Sequence, residues 1–207
     1  MRNVQAAGGE ALNDTEVQPV EPVTVRPPYT RRAIAVLGAV AVAVLALDVV
    51  TKYLAVDMLS DRGPVRLLGG TVYLVLTRNS GAAFSLGQQY TFVFPAVTIA
   101  VVTWIVWMSR KLRSVPWAVA LGLVLGGAIG NFVDRVFRAP GPFVGHVVDF
   151  VSVFDDHGQV FPVFNVADSA LSIGVCLAVL LELTGRRRDG TRDRGRAAAE
   201  PTEEGRA

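Results

Sequence analysis

The chain has 207 residues, of which 51% are hydrophobic, with a mean hydropathy of +0.41 and a formal net charge of +2. The apolar residues are concentrated in four blocks, each close to the length of about 20 residues that crosses about 30 Å of hydrocarbon as a helix. This pattern excludes an ordinary soluble domain and predicts a polytopic membrane protein.

The first apolar block follows an N-terminal tail. Residues 1–30 are polar and show no apolar period, which predicts a disordered tail. The block itself, 33–56, is longer than the apolar core of a secretory signal peptide, so we interpret it as a retained span. Near its end, Asp48 and Lys52 are four residues apart and share one helix face.

The segment between the first two blocks predicts a small sheet. Gly69-Gly70 is a turn signal, and the β-branched and aromatic run 71–77 favours a strand or a hairpin. The second apolar block then occupies 90–109.

The third block, 115–137, carries polar residues toward its end. A run of small residues, 126–130, precedes them and lets neighbouring helix backbones approach closely. Asn131, Asp134 and Arg135 follow on the same helix. An ionisable group at the centre of a membrane helix costs at least about 2.5–3.5 kcal/mol, so we expect these groups to face the bundle interior or to serve a function.

The fourth block, 161–183, begins with a second set of polar residues. Asn165 and Asp168 repeat the Asn-x-x-Asp spacing of Asn131 and Asp134. Residues three apart share a helix face, so each pair presents an amide beside a carboxylate.

A further acid lies in the loop between the last two blocks. The loop, 138–160, is unusually apolar, and we expect it to lie in the interface over the mouth of the bundle, as a lid or as a lipid-facing half-helix. It contains Asp149, within HVVDF. If Asp149 meets Asp168, the two carboxyls cannot both ionise cheaply, and one holds a proton while the other acts as a base. Aspartic proteases activate water in this way.

Basic residues form clusters next to the spans on one side, whereas the opposite loops, 57–89 and 138–160, carry mixed charge with several acids. The positive-inside rule assigns that side to the cytoplasm, which predicts two cytoplasmic termini and an extracytoplasmic polar cluster. Next to spans, such groups are interpreted as topology signals rather than nucleic-acid contacts. Residues 31–186 form the predicted folded unit, and 187–207 a second disordered tail. The basic groups are Arg26, Arg31 and Arg32; Arg110, Lys111 and Arg113; and Arg186, Arg187 and Arg188.

The sequence offers little support for a metal. Cys176 is its single cysteine, and the two histidines, His146 and His157, have no partners at metal-ligand spacing. No metal or organic cofactor is expected, and no nucleic-acid partner.

The chain resembles the lipoprotein signal peptidases, the bacterial signal peptidase II family of membrane aspartyl proteases. The resemblance covers about residues 33–183 and rests on five stretches in order: DVVTKYLA, TRNSGAAFSL, GGAIGNFVDRV, HVVDF and FPVFNVADSALSIG. It implies an all-α membrane protein with four transmembrane helices, a small extracytoplasmic β platform and an interfacial lid loop. The segments 65–77 and 138–160 fit the platform and the lid.

The same resemblance implies an activity and a set of residues. The catalytic dyad falls on Asp149 and Asp168. The stretch 79–84 corresponds to the family's outer loop near the substrate. Lys52 is included as the helical partner of Asp48. The positions expected to bind substrate or to support the site are Asp48, Lys52, Asn79, Gly81, Ala83, Phe84, Asn131, Asp134, Arg135 and Asn165.

The implied reaction is removal of the signal peptide from diacylglyceryl-modified prolipoproteins, by cleavage before the lipidated cysteine. The implied location is the bacterial cytoplasmic (inner) membrane, with membrane lipid as a second partner, and a monomer is expected. Two other functions stay open. A proton-coupled transporter predicts acids near mid-membrane, and a non-catalytic scaffold predicts acids that only tie helices together.

Overall fold

The computed structural model describes residues 29–81 and 93–192, with side chains from residue 31 onward, and it is mostly helical. Within these ranges, three helices are long and apolar enough to cross a membrane, namely α1, α3 and α4. The remaining helix, α2, is apolar but has 17 residues. The helices are α1 Tyr29–Leu59, α2 Val93–Ser109, α3 Val115–Phe137 and α4 Val166–Leu183.

The helix α3 is central and packs against each of the other three. Its glycines permit close approach, since a Cβ added at Gly126 would lie 2.7 Å from the carbonyl oxygen of Ala41 on α1. On α4, a Cβ at Gly174 would lie 2.8 Å from the carbonyl oxygen of Ala120. Small residues at the contact are how membrane helices associate closely. The predicted role of the small-residue run 126–130 is therefore confirmed.

Three antiparallel strands form a small sheet at one end of the bundle. They are β1 Val65–Leu67, β2 Val72–Asn79 and β3 Val147–Val153, in the order β1-β2-β3. The turn between β1 and β2 contains Gly69 and Gly70, both with positive φ, as the sequence predicts for a hairpin. A cluster of buried apolar side chains attaches the sheet to the end of α1: Ala55, Leu59, Val148 and Phe150.

The strand β3 lies inside the segment predicted to be a loop, so the expectation that Asp149 sits in a loop is wrong. Residues 147–150 are all buried. A strand that is covered on both faces appears in the sequence as a continuous apolar run without alternation of apolar and polar residues. Such a run cannot be distinguished by its pattern from an apolar interfacial loop. Asp149 pairs with Thr77 of β2.

The fourth helix begins later than the predicted span 161–183. Phe164 forms an antiparallel bridge with Val151, and Asn165 is the N-cap residue, so the helix starts at Val166. The Asn165 side chain accepts a hydrogen bond from the Asp168 backbone N–H, and the Asp168 side chain accepts one from the Asn165 N–H. This reciprocal capping box fixes where the helix starts.

Helix α4 is followed by a turn that packs against the start of α3. The indole N–H of Trp117 donates to the carbonyl oxygen of Arg186 at 2.6 Å. The backbone N–H groups of Arg113 and Ser114 donate to the carbonyl oxygen of Arg188 at 2.9 and 3.0 Å. Within the tail for which disorder is predicted, residues 187–192 thus form a turn. The rest of that tail, like residues 1–28, lies outside the described residues.

Candidate active site

The polar residues of the spans meet beside the sheet, at one end of the bundle. The C-terminal ends of α1 and α3, the N-terminal end of α4, and strands β2 and β3 all contribute side chains there. Because α1 and α3 end where α4 begins, residues far apart in sequence are brought to one level.

Asp149 is held on β3 by two side-chain amides. Asn165 Nδ2 donates to Asp149 Oδ1 at 2.7 Å, and Asn79 Nδ2 donates to Asp149 Oδ2 at 3.0 Å. The residue is only 2% exposed. Burial, and then the charge of Asp168, raise the pKa of the Asp149 carboxyl to about 7, against a smaller opposing effect of the two amides. This carboxyl can therefore keep a proton near neutral pH.

Asp168 lies in the first turn of α4 and is half-buried. Asn131 Nδ2 donates to Asp168 Oδ1 at 2.7 Å, and the Asn165 backbone N–H donates to Asp168 Oδ2 at 3.2 Å. Both oxygens accept hydrogen bonds, as expected of a carboxylate.

The two asparagines connect the carboxyls. Asn165 Nδ2, which donates to Asp149, also lies 3.1 Å from Asn131 Oδ1, while Asn131 Nδ2 donates to Asp168. A chain of hydrogen bonds thus runs from Asp149 through Asn165 and Asn131 to Asp168. Each carboxyl is oriented by groups that are themselves fixed.

A buried ion network fixes Asn131 in turn. Lys52 Nζ lies 2.8 Å from Asp48 Oδ2 and 2.9 Å from Asp134 Oδ2, and it donates to Asn131 Oδ1 at 2.9 Å. These three partners match the three N–H donors of an ammonium group. Since lysine can only donate, the Asn131 atom facing it must be the oxygen, and the amide nitrogen must face Asp168.

The acids of this network also tie the bundle together. Asp48 Oδ1 accepts a hydrogen bond of 2.9 Å from the backbone N–H of Ala167, at the start of α4. Asp134 Oδ2 accepts one of 3.2 Å from the N–H of Val148 on β3, and Asp134 Oδ1 pairs with Arg138. Asp48, Lys52 and Asp134 are at most 3% exposed, so every charge in the centre of the network is compensated by a neighbour.

Arg135 holds the chain that follows β2. Its guanidinium donates to the carbonyl oxygens of Ser80 and Gly81, and it lies 4.6 Å from the centre of the Phe94 ring on α2. Arg135 is 5% exposed. One side chain therefore connects α3 to the end of β2 and to the start of α2.

Asp149 and Asp168 face one cavity of about 790 Å³. Its floor is α3, and its two walls come from α2 and α4, both of which pack against α3. Away from the polar groups the lining is largely apolar, with Val97, Val101 and Ile173 on the two walls. A cavity of this shape can hold an extended apolar ligand beside two acids.

The structure brings together most of the predicted residues. Around Asp149 and Asp168 it places Asp48, Lys52, Asn79, Gly81, Asn131, Asp134, Arg135 and Asn165. Ala83 and Phe84 lie outside the described residues. No group of three or more His, Cys, Asp or Glu side chains that could hold a metal occurs among the described residues.

Two residues of the site escaped prediction. Arg138 pairs with Asp134 four positions earlier, a helical spacing that could have been noticed. Phe94 stacks under Arg135, but it sits in an apolar run, where nothing distinguishes it from a residue that faces lipid.

The sequence of the chain is similar to those of known proteins. A family model described as Signal peptidase (SPase) II matches residues 40–184. A lipoprotein signal peptidase of Mycolicibacterium smegmatis is 48% identical over 86% of this chain and 80% of its own. Those of Mycobacterium tuberculosis and Rhodococcus jostii are each 50% identical, over 80% and 84% of this chain and 78% and 82% of their own.

Solved structures are similar as well. A bacterial membrane enzyme determined at 1.9 Å resolution is 32% identical, with a TM-score of 0.62, over 72% of this chain and 94% of that one.

Proposed function

Because the chain belongs to the signal peptidase II family, we propose that Asp149 and Asp168 are the catalytic pair with which it cleaves its substrate. The protein is a membrane protease that removes the signal peptide from prolipoproteins. The observation that carries the assignment is the shared cavity. Two carboxyls face it, each held by asparagine amides, one buried and the other in a helix first turn.

The two carboxyls take different roles in this proposal. Asp149 is the proton donor, because burial and the neighbouring acid raise its pKa to about 7. Asp168 is the general base, because both its oxygens accept hydrogen bonds and the residue lines the cavity. Two acids with different surroundings divide acid and base work in other hydrolases too.

The proposed reaction has two steps. Asp168 takes a proton from water as the water oxygen bonds to the scissile carbonyl carbon, and Asp149 gives its proton to the carbonyl oxygen. In the second step Asp149 takes a proton back from a hydroxyl of the tetrahedral intermediate, and Asp168 protonates the leaving nitrogen. The C–N bond breaks, which leaves a carboxyl on the signal peptide and an amine on the cysteine of the product.

The remaining polar residues position this pair. Asn131 and Asn165 orient the carboxyls. Lys52 in turn orients Asn131, because an ammonium group can only donate and therefore binds the amide oxygen. None of the three needs to exchange a proton with substrate. They keep the two acids preorganised, which lowers the cost of reaching the transition state.

The cavity supports a substrate that stays in the bilayer. Its apolar walls on α2 and α4 suit an apolar signal segment and the acyl chains of a diacylglyceryl cysteine, whereas the acids lie at the end beside the sheet. The scissile bond then meets water at the membrane surface. Cleavage before the lipidated cysteine follows if the acyl chains set the depth of that residue.

The wider arrangement follows the same proposal. With α2 as a fourth span, the basic groups at the other end of the bundle lie on the cytoplasmic side and the acids on the extracytoplasmic side of the inner membrane. The protein acts as a monomer. After β3, Asp155 accepts hydrogen bonds from the N–H groups of His157, Gln159 and Val160, which makes this part of the lid segment a compact turn.

Single amide substitutions test the pair. Full-length Asp149→Asn and Asp168→Asn proteins would be given a diacylated prolipoprotein in detergent, and cleavage followed by mobility on a gel. Acid–base catalysis contributes about 10²–10⁴-fold to a reaction rate, so the cleavage rate of each variant should fall by at least about 10²-fold. The exposed Asp61→Asn on the same side of the bundle is the control and should cleave normally.

Thermal unfolding separates chemistry from structure. The dyad assignment is wrong if either variant keeps its fold and still cleaves at the wild-type rate. If instead both variants fail to fold, and no folded but inactive protein is found, the result would favour a non-catalytic scaffold in which the acids only hold the helices together.

A further inference from the structure

A second cavity, of about 630 Å³, lies at the basic end of the bundle. It is formed by the end of α2, the link to α3 and the turn after α4. We propose that this cavity binds the phosphate headgroup of an anionic phospholipid. The proposal does not depend on the catalytic assignment, since the cavity lies at the opposite end of the helices from Asp149 and Asp168.

The turn after α4 is held in place rather than loosely attached. The carbonyl oxygens of Arg186 and Arg188 accept hydrogen bonds from Trp117 and from the backbone of 113–114. These contacts fix three consecutive arginines, 186–188, against the start of α3. A run of arginines that served only as a topology signal would not need such an anchor.

Arg188 shows how the cavity is organised. Its guanidinium lies 5.5 Å from the centre of the Trp117 ring, and Nη1 lies 2.7 Å from the sulfur of Met108. The side chain is therefore oriented by an aromatic ring and a thioether, neither of which carries a negative charge. An oriented guanidinium is well suited to a phosphate oxygen.

The charges around the cavity favour an anion. Five cationic side chains line it, against two acidic ones. One of the acids, Asp189, already accepts hydrogen bonds from the backbone N–H and the hydroxyl of Thr191. The other acid is Glu182, at the end of α4. The cationic residues are Arg110, Lys111, Arg186, Arg187 and Arg188.

The apolar part of the cavity points to a lipid rather than a soluble anion. Trp107, which lines the cavity, is 63% exposed, and Leu183, which follows the lining residue Glu182 on α4, is 80% exposed. The basic residues thus begin where the lipid-facing surfaces of α2 and α4 end. A headgroup at this level places its acyl chains along those surfaces, and basic pockets between membrane helices bind such headgroups.

Lipid retention on the full-length protein tests the proposal. The detergent-solubilised protein would be titrated with phosphatidylglycerol or phosphatidylcholine, and bound lipid counted by native mass spectrometry. The test variant is Lys111→Gln/Arg186→Gln, in which both side chains are exposed. The matched control, Arg31→Gln/Arg32→Gln, removes the same charge from exposed residues at the start of α1, outside the cavity lining.

We expect one phosphatidylglycerol to bind in preference to phosphatidylcholine. Its apparent Kd should rise about 10- to 30-fold in the test variant, given the attraction that each basic side chain contributes at a membrane surface. The control variant should bind like the wild type. The charge-preserving variant Lys111→Arg/Arg186→Lys should also bind like the wild type. This result would show that weaker binding by the test variant comes from the lost charge and not from a folding defect.

Three results would overturn the proposal. One is equal binding of the two lipids by the wild type. Another is the same weakening in the test and control variants, which would indicate general surface attraction. The third is complete displacement of phosphatidylglycerol by inorganic phosphate at equal concentration, which would make the cavity a site for soluble phosphate.

Discussion

The two ends of the helical bundle use charged side chains in opposite ways. Beside the sheet, Asp48, Lys52 and Asp134 are almost completely buried, and each contacts an opposite charge. At the other end, Lys111 and Arg186 are exposed. A buried charge is tolerated only with good partners, whereas an exposed one needs none. The identity of a charged residue therefore matters far more beside the sheet than at the basic end.

The two ends also differ in what their charges do: the buried charges fix the positions of other side chains, whereas the exposed charges attract anions. The buried network has fixed donors and acceptors, so it can hold Asn131 and the two acids in one arrangement. The exposed group supplies positive potential, to which each member contributes a similar share. Substitutions that remove one charge should thus have unequal consequences at the two ends.

The largest effect is expected for Lys52→Met. It removes the partner of two buried acids, and breaking a buried ion pair costs about 3–5 kcal/mol. Thermal unfolding of the purified protein measures the loss. Lys111→Met, an exposed lysine at the basic end, is the matched control, and equal losses in the two variants would contradict the comparison.

A large effect of pH on cleavage comes next. The raised pKa of Asp149, about 7, means that the folded protein holds this proton when a free carboxyl has lost it. Cleavage should therefore fall as pH rises through about 7, by roughly tenfold per unit above it. Stability contributed by this group is complete below pH 4 and lost between about 4 and 7.

The sign of that pH effect can be checked with Asn79→Ala. The hydrogen bond from Asn79 lowers the pKa of Asp149, because it favours the charged form. Its removal should move the alkaline limb of the cleavage profile to higher pH. A shift to lower pH would contradict the assignment of Asp149 as the proton donor.

A smaller effect is expected for Asn165→Ala. It removes a helix N-cap, which costs about 0.5–2 kcal/mol, and it removes the side-chain amide that donates to the Asp149 carboxyl. Unfolding temperature and cleavage rate should both fall. Ser114→Ala is the control, since Ser114 is the N-cap of α3 but makes no capping hydrogen bond with its side chain. Equal destabilisation by the two changes would exclude capping as the cause.

The smallest effect should come from Arg32→Gln, an exposed residue at the basic end that lies outside the lining of the second cavity. Exposed substitutions away from caps and cores usually change stability by less than about 0.5 kcal/mol. Both the unfolding temperature and cleavage should stay within error of the wild type. A large loss of stability would show that the exposed charges also support the fold.

Much of this architecture could be predicted from the sequence, because apolar length and small residues are local signals. The third span, 115–137, and the cluster of Asn131, Asp134 and Asn165 follow from such signals. The strand β3 could not be predicted. It is short, buried on both faces and paired with a strand about 70 residues earlier.

A shift in register is equally invisible in the sequence. Leu74 pairs with Val151 and Thr77 with Asp149, so two residues of β2 oppose one of β3. Such irregularities re-aim side chains near functional sites. The start of α4 at Val166 likewise depends on a cap and on a bridge to Val151, which are contacts between distant segments.

The hydrogen bond from Ala167 to Asp48 has a consequence for biosynthesis. A residue of the first helix accepts a backbone donor in the first turn of the last one. Asp48, Asn131, Asp149 and Asp168 are synthesised in chain order, so the ribosome has made the three earlier groups before Asp168 is available. A growing chain thus lacks one member of the proposed pair until residue 168 is made, and under that proposal cleavage begins only after the last helix inserts.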